Sequence, residues 1–193
     1  IEEIIVTAQK RAQSIEDVPI AISAFTAETL QIAGVEDIRD LTILAPSLIL
    51  TSTQSETAGT TARIRGVGTT GDNLGLESSV AVFVDGVYRN RNNVALTDLG
   101  EVERIEVLRG PQGTLFGRNT IGGAISITTR KPDEELSGRL SATYGVDNRI
   151  DVIGSVNVPW SDSFFSTFSV GHLSQDGYVK RDDGVDLGDE NTL

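Results

Sequence analysis

From Ile150 to Trp160 every second residue, Ile150, Val152, Gly154, Val156, Val158 and Trp160, is apolar or glycine, while Asp151, Ser155 and Asn157 lie between them. A period of two held over about ten residues requires an extended strand whose two faces meet different surroundings. Residues 139–144 alternate in the same way, and Phe164 to His172 does so more loosely. Long strands that are apolar on one side and small or polar on the other are the pattern of a transmembrane β-barrel, and Trp160 at a strand end suits an interfacial aromatic girdle. An antiparallel sheet with one face on a water-soluble core reads the same way. Three strands cannot close a barrel, and an open edge is not viable in lipid, so on the barrel reading this chain is the front of a larger protein.

Upstream of Pro132 the pattern differs. Residues 26–33 and 36–44 have helical spacing. Thr26 stands at an N-cap position with Glu28 in the first turn, and Gly34 at a C-terminal cap. In the second segment Glu36 and Asp37 occupy the first turn, Ile38, Leu41 and Leu44 share a face, and Pro46 ends the run. Then the period returns to two. Residues 62–65, 80–84, 103–108 and 124–129 are expected as short strands, with Asp85-Gly86 as a tight turn between Val84 and Val87. From Gly110 to Gly123 five glycines and Pro111 punctuate the chain, so the backbone there must pass close to other backbone or adopt positive φ. An α+β arrangement follows, a small mixed sheet with short helices.

At the start, Glu2-Glu3-Ile4-Ile5-Val6-Thr7-Ala8 sets β-branched apolar residues between acids and Gln9-Lys10-Arg11. Such a segment is extended and can pair with a free sheet edge. An ordinary first strand of the domain fits the same residues.

The inventory of side chains excludes several functions. Of 193 residues 16 are basic and 28 acidic, for a net charge of −12. Residues 1–62 carry −6, residues 63–131 carry +2 and residues 132–193 carry −8. A nucleic-acid surface needs the opposite sign. With no cysteine, disulfides, thiolate metal sites and cysteine nucleophiles are ruled out, and with His172 as the single histidine a multi-histidine metal site is too. Gly66-Val67-Gly68-Thr69-Thr70-Gly71 matches a dinucleotide fingerprint, but loop-forming residues follow where a helix would have to begin. Asp182, Asp183, Asp186, Asp189 and Glu190 lack the spacing of a calcium loop. Glu103 and Glu106 share a strand with Arg104 and Arg109, which reads as charge pairing rather than acid-base catalysis. Nothing here requires an enzyme, a resident cofactor or a metal.

Taken in order, several pieces closely resemble the plug domain of TonB-dependent outer-membrane receptors of Gram-negative bacteria. They are Glu3-Ile4-Ile5-Val6-Thr7-Ala8, Val18-Pro19-Ile20-Ala21-Ile22-Ser23, residues 41–48, Ile64-Arg65-Gly66, Val82-Phe83-Val84-Asp85-Gly86-Val87-Tyr88 and residues 99–132. The tail resembles the first strands of the barrel. The resemblance implies a TonB box and extended segment over 1–10, a plug over 11–132, and about three strands of a 22-stranded transmembrane β-barrel over 133–193. It further implies active transport across the outer membrane, with TonB, membrane lipid and a small-molecule substrate as partners. A ferric siderophore is the substrate it favours; cobalamin, haem or a glycan are alternatives within the same receptor type. A soluble periplasmic interaction or signalling domain with a plug-like fold is the alternative from another class, and it must cover the face of Ile150, Val152, Val156 and Val158.

Residue by residue, the resemblance implies that Glu3, Ile4, Ile5, Val6, Thr7 and Ala8 add as a strand to TonB. It implies that Arg65 and Arg109 are buried and lock the plug to glutamates of the barrel. It places Thr53, Gln54, Thr69, Asp72, Asn73, Tyr88, Arg89 and Arg91 on apical loops that touch substrate. Tyr88, Arg89 and Arg91 offer stacking and anion pairing suited to a ferric chelate bearing carboxylates or catecholates. Plain exposure to water accounts for these polar loops equally well.

Overall fold

The computed structural model describes residues 4–7, 10–35, 40–51, 61–69, 77–89, 102–177 and 190–192. It divides into two compact units, Ile1–Arg130 and Lys131–Leu193. In the first unit the elements run β1 (Ile5–Val6), β2 (Gln13–Ser14), a 3-10 turn (Ile15–Asp17), β3 (Ile22–Thr26), α1 (Ala27–Ile32), α2 (Leu41–Leu44), β4 (Leu48–Thr51) and β5 (Thr61–Ile64). There follow β6 (Val80–Val84), β7 (Val87–Arg89), β8 (Val102–Arg109), α3 (Gly113–Phe116) and β9 (Gly123–Thr129).

A five-stranded sheet in the order β3-β8-β9-β6-β7 organises this unit. Its pairs are antiparallel except for β6 with β9, which run parallel. The unbroken apolar run Val80-Ala81-Val82-Phe83-Val84 explains the place of β6, since a strand covered on both faces has no polar side to show. On one face Val80, Val82, Ile105, Val107, Ile125 and Ile127 pack with Phe25, Leu30, Leu41, Leu48 and Ile64. On the other, Ala81, Phe83, Leu108 and Ala124 meet Val6. Alanine at 81 and 124 leaves room there for another segment to lie down.

Local chemistry accounts for the boundaries. The Thr26 hydroxyl accepts the Thr29 amide at 3.3 Å and caps α1, and Gly34 at φ +67° lets the chain leave it. The expected first turn of the second helix, with Glu36 and Asp37, lies outside the described residues. Asp85 and Gly86 both have positive φ, 50° and 78°, and fold β7 back onto β6 through a two-residue turn. β4 pairs with β5 in a separate two-stranded sheet, a strand that the pattern of Leu41 to Leu48 does not announce. Where β8 passes β9 the partner must be glycine: a Cβ on Gly123 would stand 2.2 Å from the Leu108 carbonyl oxygen, at φ +143°.

The second unit is one antiparallel sheet, β10 (Ser137–Tyr144), β11 (Ile150–Ser161), β12 (Phe164–Gln175) and β13 (Glu190–Thr192), paired in chain order. The register sets Leu140 against Gly154, Val156 against Phe168 and Gly154 against Val170, so one face is apolar. Among its residues Leu140, Ile150, Val152, Val156, Trp160, Phe168 and Val170 are exposed, and His172 lies on it opposite Val152. The other face buries Asp151 and Asn157. Arg149 Nε donates to Asp151 Oδ2 at 2.6 Å. Asn157 sits opposite Thr167, whose hydroxyl donates to Asn157 Oδ1 at 3.1 Å. The Asn157 amide nitrogen donates to Asp133 O at 3.0 Å and Glu135 O at 2.6 Å, which straps residues 133–135 across this face. Pro159, lacking an N–H, falls where the β11–β12 register slips.

Candidate functional site

The N-terminal segment is stowed rather than offered to a free edge. β1 pairs with β2 through Ile5 with Ser14 and Val6 with Gln13, and the Ile15 amide donates to Ile4 O at 3.0 Å. Side-chain alternation then divides the strand. Val6 is fully buried against the sheet, while Ile5 faces out at 42% exposure. At Thr7 the chain turns, with the Lys10 amide donating to Thr7 O at 2.8 Å. The Lys10 ammonium comes 5.8 Å from the centre of the Phe116 ring, a cation–π distance.

Thr7 is held by a residue 99 positions away. Its amide donates to Glu106 Oε1 at 2.8 Å and its hydroxyl to the same oxygen at 3.2 Å. Arg104, two residues earlier on β8 and on the same face, donates from Nε to that oxygen at 2.7 Å. Its other nitrogens reach Glu103 Oε1 and the Thr7 hydroxyl, each at 3.4 Å. Glu106 is wholly buried, and a buried carboxylate is tolerable only with a cation and donors close at hand. Among the described residues its other oxygen, Glu106 Oε2, has no partner.

The two arginines behave differently from each other. Arg65 is exposed rather than buried, since it occupies the turn after β5 at φ 52° with its amide on Ser47 O at 2.8 Å. Arg109 is half-buried at the end of β8 and donates from Nη2 to Ile22 O at 3.2 Å, while its buried Nε finds no partner among the described residues.

The residues expected on apical loops are not all on loops. Tyr88 lies in β7, and its ring packs on Phe83 with centroids 5.7 Å apart. Its hydroxyl accepts from Asn119 Nδ2 at 2.8 Å, so it is built into the structure instead of standing free for stacking. The Thr69 hydroxyl is also committed, accepting the Ser79 amide and donating to Glu77 O, at 2.8 and 2.9 Å. Arg89 is exposed. Glu3, Ala8, Thr53, Gln54, Asp72, Asn73 and Arg91 lie outside the described residues.

Sequence reasoning missed three residues. Glu106 was legible as half of a charge pair with Arg104, but not as the partner of Thr7; the signal available was an acid at an inward position of an otherwise apolar strand. Asn119, at φ 70°, joins Tyr88 to Glu77. Asn157 was visible only as a polar residue on the alternating strand.

A mixed sheet with an extended segment stowed on one face, followed by antiparallel strands that leave an apolar face bare, is the arrangement of a receptor plug leading into a membrane barrel. Residues 14–124 match the model of the TonB-dependent receptor plug domain, and the chain belongs to that family. It is 31% identical over 161 residues to the iron-regulated outer membrane virulence protein of Vibrio cholerae, covering 77% of this chain and 23% of that protein. With the pesticin receptor of Yersinia pestis it shares 32% identity over 179 residues, 91% of this chain and 24% of the relative. Among solved structures, the ferric yersiniabactin uptake receptor FyuA from Yersinia pestis superposes with a TM-score of 0.78 at 26% identity, over 88% of this chain and 27% of that one. The ferripyoverdine receptor of the outer membrane of Pseudomonas aeruginosa shares the fold at a TM-score of 0.74 and 19% identity, over 90% of this chain and 23% of that one. The chain thus spans about a quarter of the length of the curated relatives it matches.

Proposed function

We propose that this chain is the plug and opening barrel strands of an outer-membrane receptor that takes up a ferric siderophore by TonB-driven active transport. The observation that carries the reading is the bare apolar face of β10 to β12, where Leu140, Val152, Val156, Phe168 and Val170 are exposed on a sheet whose other face buries Asp151 and Asn157. A soluble module would have to cover that face, whereas in a barrel lipid covers it. The outer membrane is the protein's location, as it is for its relatives. On this reading the parts are the recognition segment over 1–10, the plug over 11–132 and the barrel strands from 133 onward.

The chemistry of uptake follows from three features. Glu3 to Ala8 supply a β-branched strand that pairs with an open sheet edge of TonB through main-chain hydrogen bonds. Arg65, exposed on its turn, and Arg109, whose Nε has no partner among the described residues, pair with carboxylates of later barrel strands and hold the plug in place. The exposed cation of Arg89, with Arg91, Thr53, Gln54, Asp72 and Asn73, meets an anionic chelate. Thr69 and Tyr88 shape that surface from within. Iron is cargo here, and no catalytic step is needed. Similarity to a ferric yersiniabactin uptake receptor, at 26% identity, supports a siderophore over the other solutes.

Deleting Glu3 to Ala8 tests the reading. Energised uptake of the ferric siderophore should be lost while binding at the cell surface stays near its original level. Unchanged uptake would remove these residues from the recognition of TonB.

A further inference from the structure

The N-terminal segment reaches its place by a contact that its own strand pairing does not require. β1 and β2 share only two residue pairs, too short a ladder to hold a strand by itself. At Thr7 the ladder has ended, and the N–H that would continue it is taken by Glu106 Oε1 at 2.8 Å. Glu106 is set in advance for this role. It stands in the middle of β8 between β3 and β9, and Arg104 fixes its carboxylate from the same strand at 2.7 Å.

We infer that Glu106 is a positioning residue for the recognition segment: a clasp that keeps Thr7, and with it Ile4 to Val6, on the sheet until the segment is wanted. This rests on the reading of Glu3 to Ala8 as the strand that TonB takes up. An incoming strand needs the backbone of this segment, including the Thr7 N–H, and that N–H cannot serve Glu106 and a partner strand together. Docking and pairing therefore exclude each other, and the fraction of molecules with the clasp open scales the apparent affinity for the partner.

The test places a spin label on the segment of the receptor in outer-membrane lipid. These 193 residues have no cysteine, so Ile5→Cys, at an exposed position, gives a single labelling site once any cysteine elsewhere in the receptor is replaced by serine. In the parent the label should be immobilised. Glu106→Ala combined with Arg104→Ala, which leaves no orphaned cation, should free it and tighten binding of a TonB periplasmic fragment about tenfold. Amide exchange of β8 and β9 should stay slow, which a general loss of structure would not permit. Glu106→Gln still accepts from the Thr7 amide and should keep the label largely immobile. Thr7→Pro removes the held N–H without touching the sheet and should free the label as the double variant does. An immobile label in both the double variant and Thr7→Pro overturns the clasp. A freed label with unchanged binding of the TonB fragment keeps the clasp and removes the recognition reading instead.

Discussion

Asp85 and Thr129 are joined twice, the Thr129 amide donating to Asp85 Oδ1 at 2.9 Å and its hydroxyl to Oδ2 at 2.8 Å. The pair ties the β6–β7 turn to the last residue of β9, closing the parallel seam of the sheet. Asp85→Ala removes a charged acceptor and puts alanine at φ 50°. It should cost about 2–3 kcal/mol, and Asp85→Asn, which tolerates that φ, about half as much. Urea midpoints of the two variants check the order.

Gly123→Ala should be among the most damaging single changes. The added Cβ would sit 2.2 Å from Leu108 O and 2.8 Å from Ile64 Cδ1, so β8 and β9 would have to part at the centre of the core. A loss above about 3 kcal/mol is expected. Gly138→Ala, whose nearest neighbour is Ser155 O at 3.4 Å, should cost under about 1 kcal/mol. Folded yield and denaturant midpoint separate the two.

The two faces of β11 should respond oppositely to the same charge. Val156→Lys puts an ammonium on the exposed apolar face and should cost about 2–4 kcal/mol if that face meets the middle of a bilayer. Ser155→Lys, one residue away on the other face, should cost far less. Heat stability of the receptor extracted from membranes gives the comparison, and equal losses would remove lipid from the outer face.

Asn157→Leu should release the strap of residues 133–135. It removes the donor to Asp133 O and Glu135 O and the acceptor of the Asp133 amide, at 3.0, 2.6 and 3.3 Å. Losing bonds of this kind opens the segment by about 2 kcal/mol, enough to speed cleavage by a glutamyl endopeptidase after Glu134 more than tenfold. The strands themselves should stay folded by circular dichroism.

Local chemistry was legible in the sequence, and distant pairing was not. Thr26, Gly34, Asp85 and Gly86 each announce a cap or a turn because the feature depends on a few neighbouring residues. The alternation of Ile150 to Trp160 announces its own two faces for the same reason. By contrast, nothing near Val80 says that β6 will lie parallel to β9, and nothing near Leu48 says that β4 will find β5. The contacts of Tyr88 were not legible either, because Phe83 and Asn119, which hold its ring and hydroxyl, lie 5 and 31 positions away. Of the candidate site, the segment from Ile4 to Thr7 could be found by its β-branched composition. Its docking on Glu106 could not, since that contact depends on how the whole sheet is wound.

That contact also orders events in time. Joining Thr7 to Glu106 closes a loop of 99 residues, and the entropy of such a closure cannot be recovered until the strands between are in place. Docking of the first strand is then the closing step of folding and the first step of its reversal. Amides of Ile5, Val6, Gln13 and Ser14 should exchange with solvent well ahead of those of β8 and β9. The first strand of the plug, made before the strands it rests on, is the part of the plug that reaches its final position last.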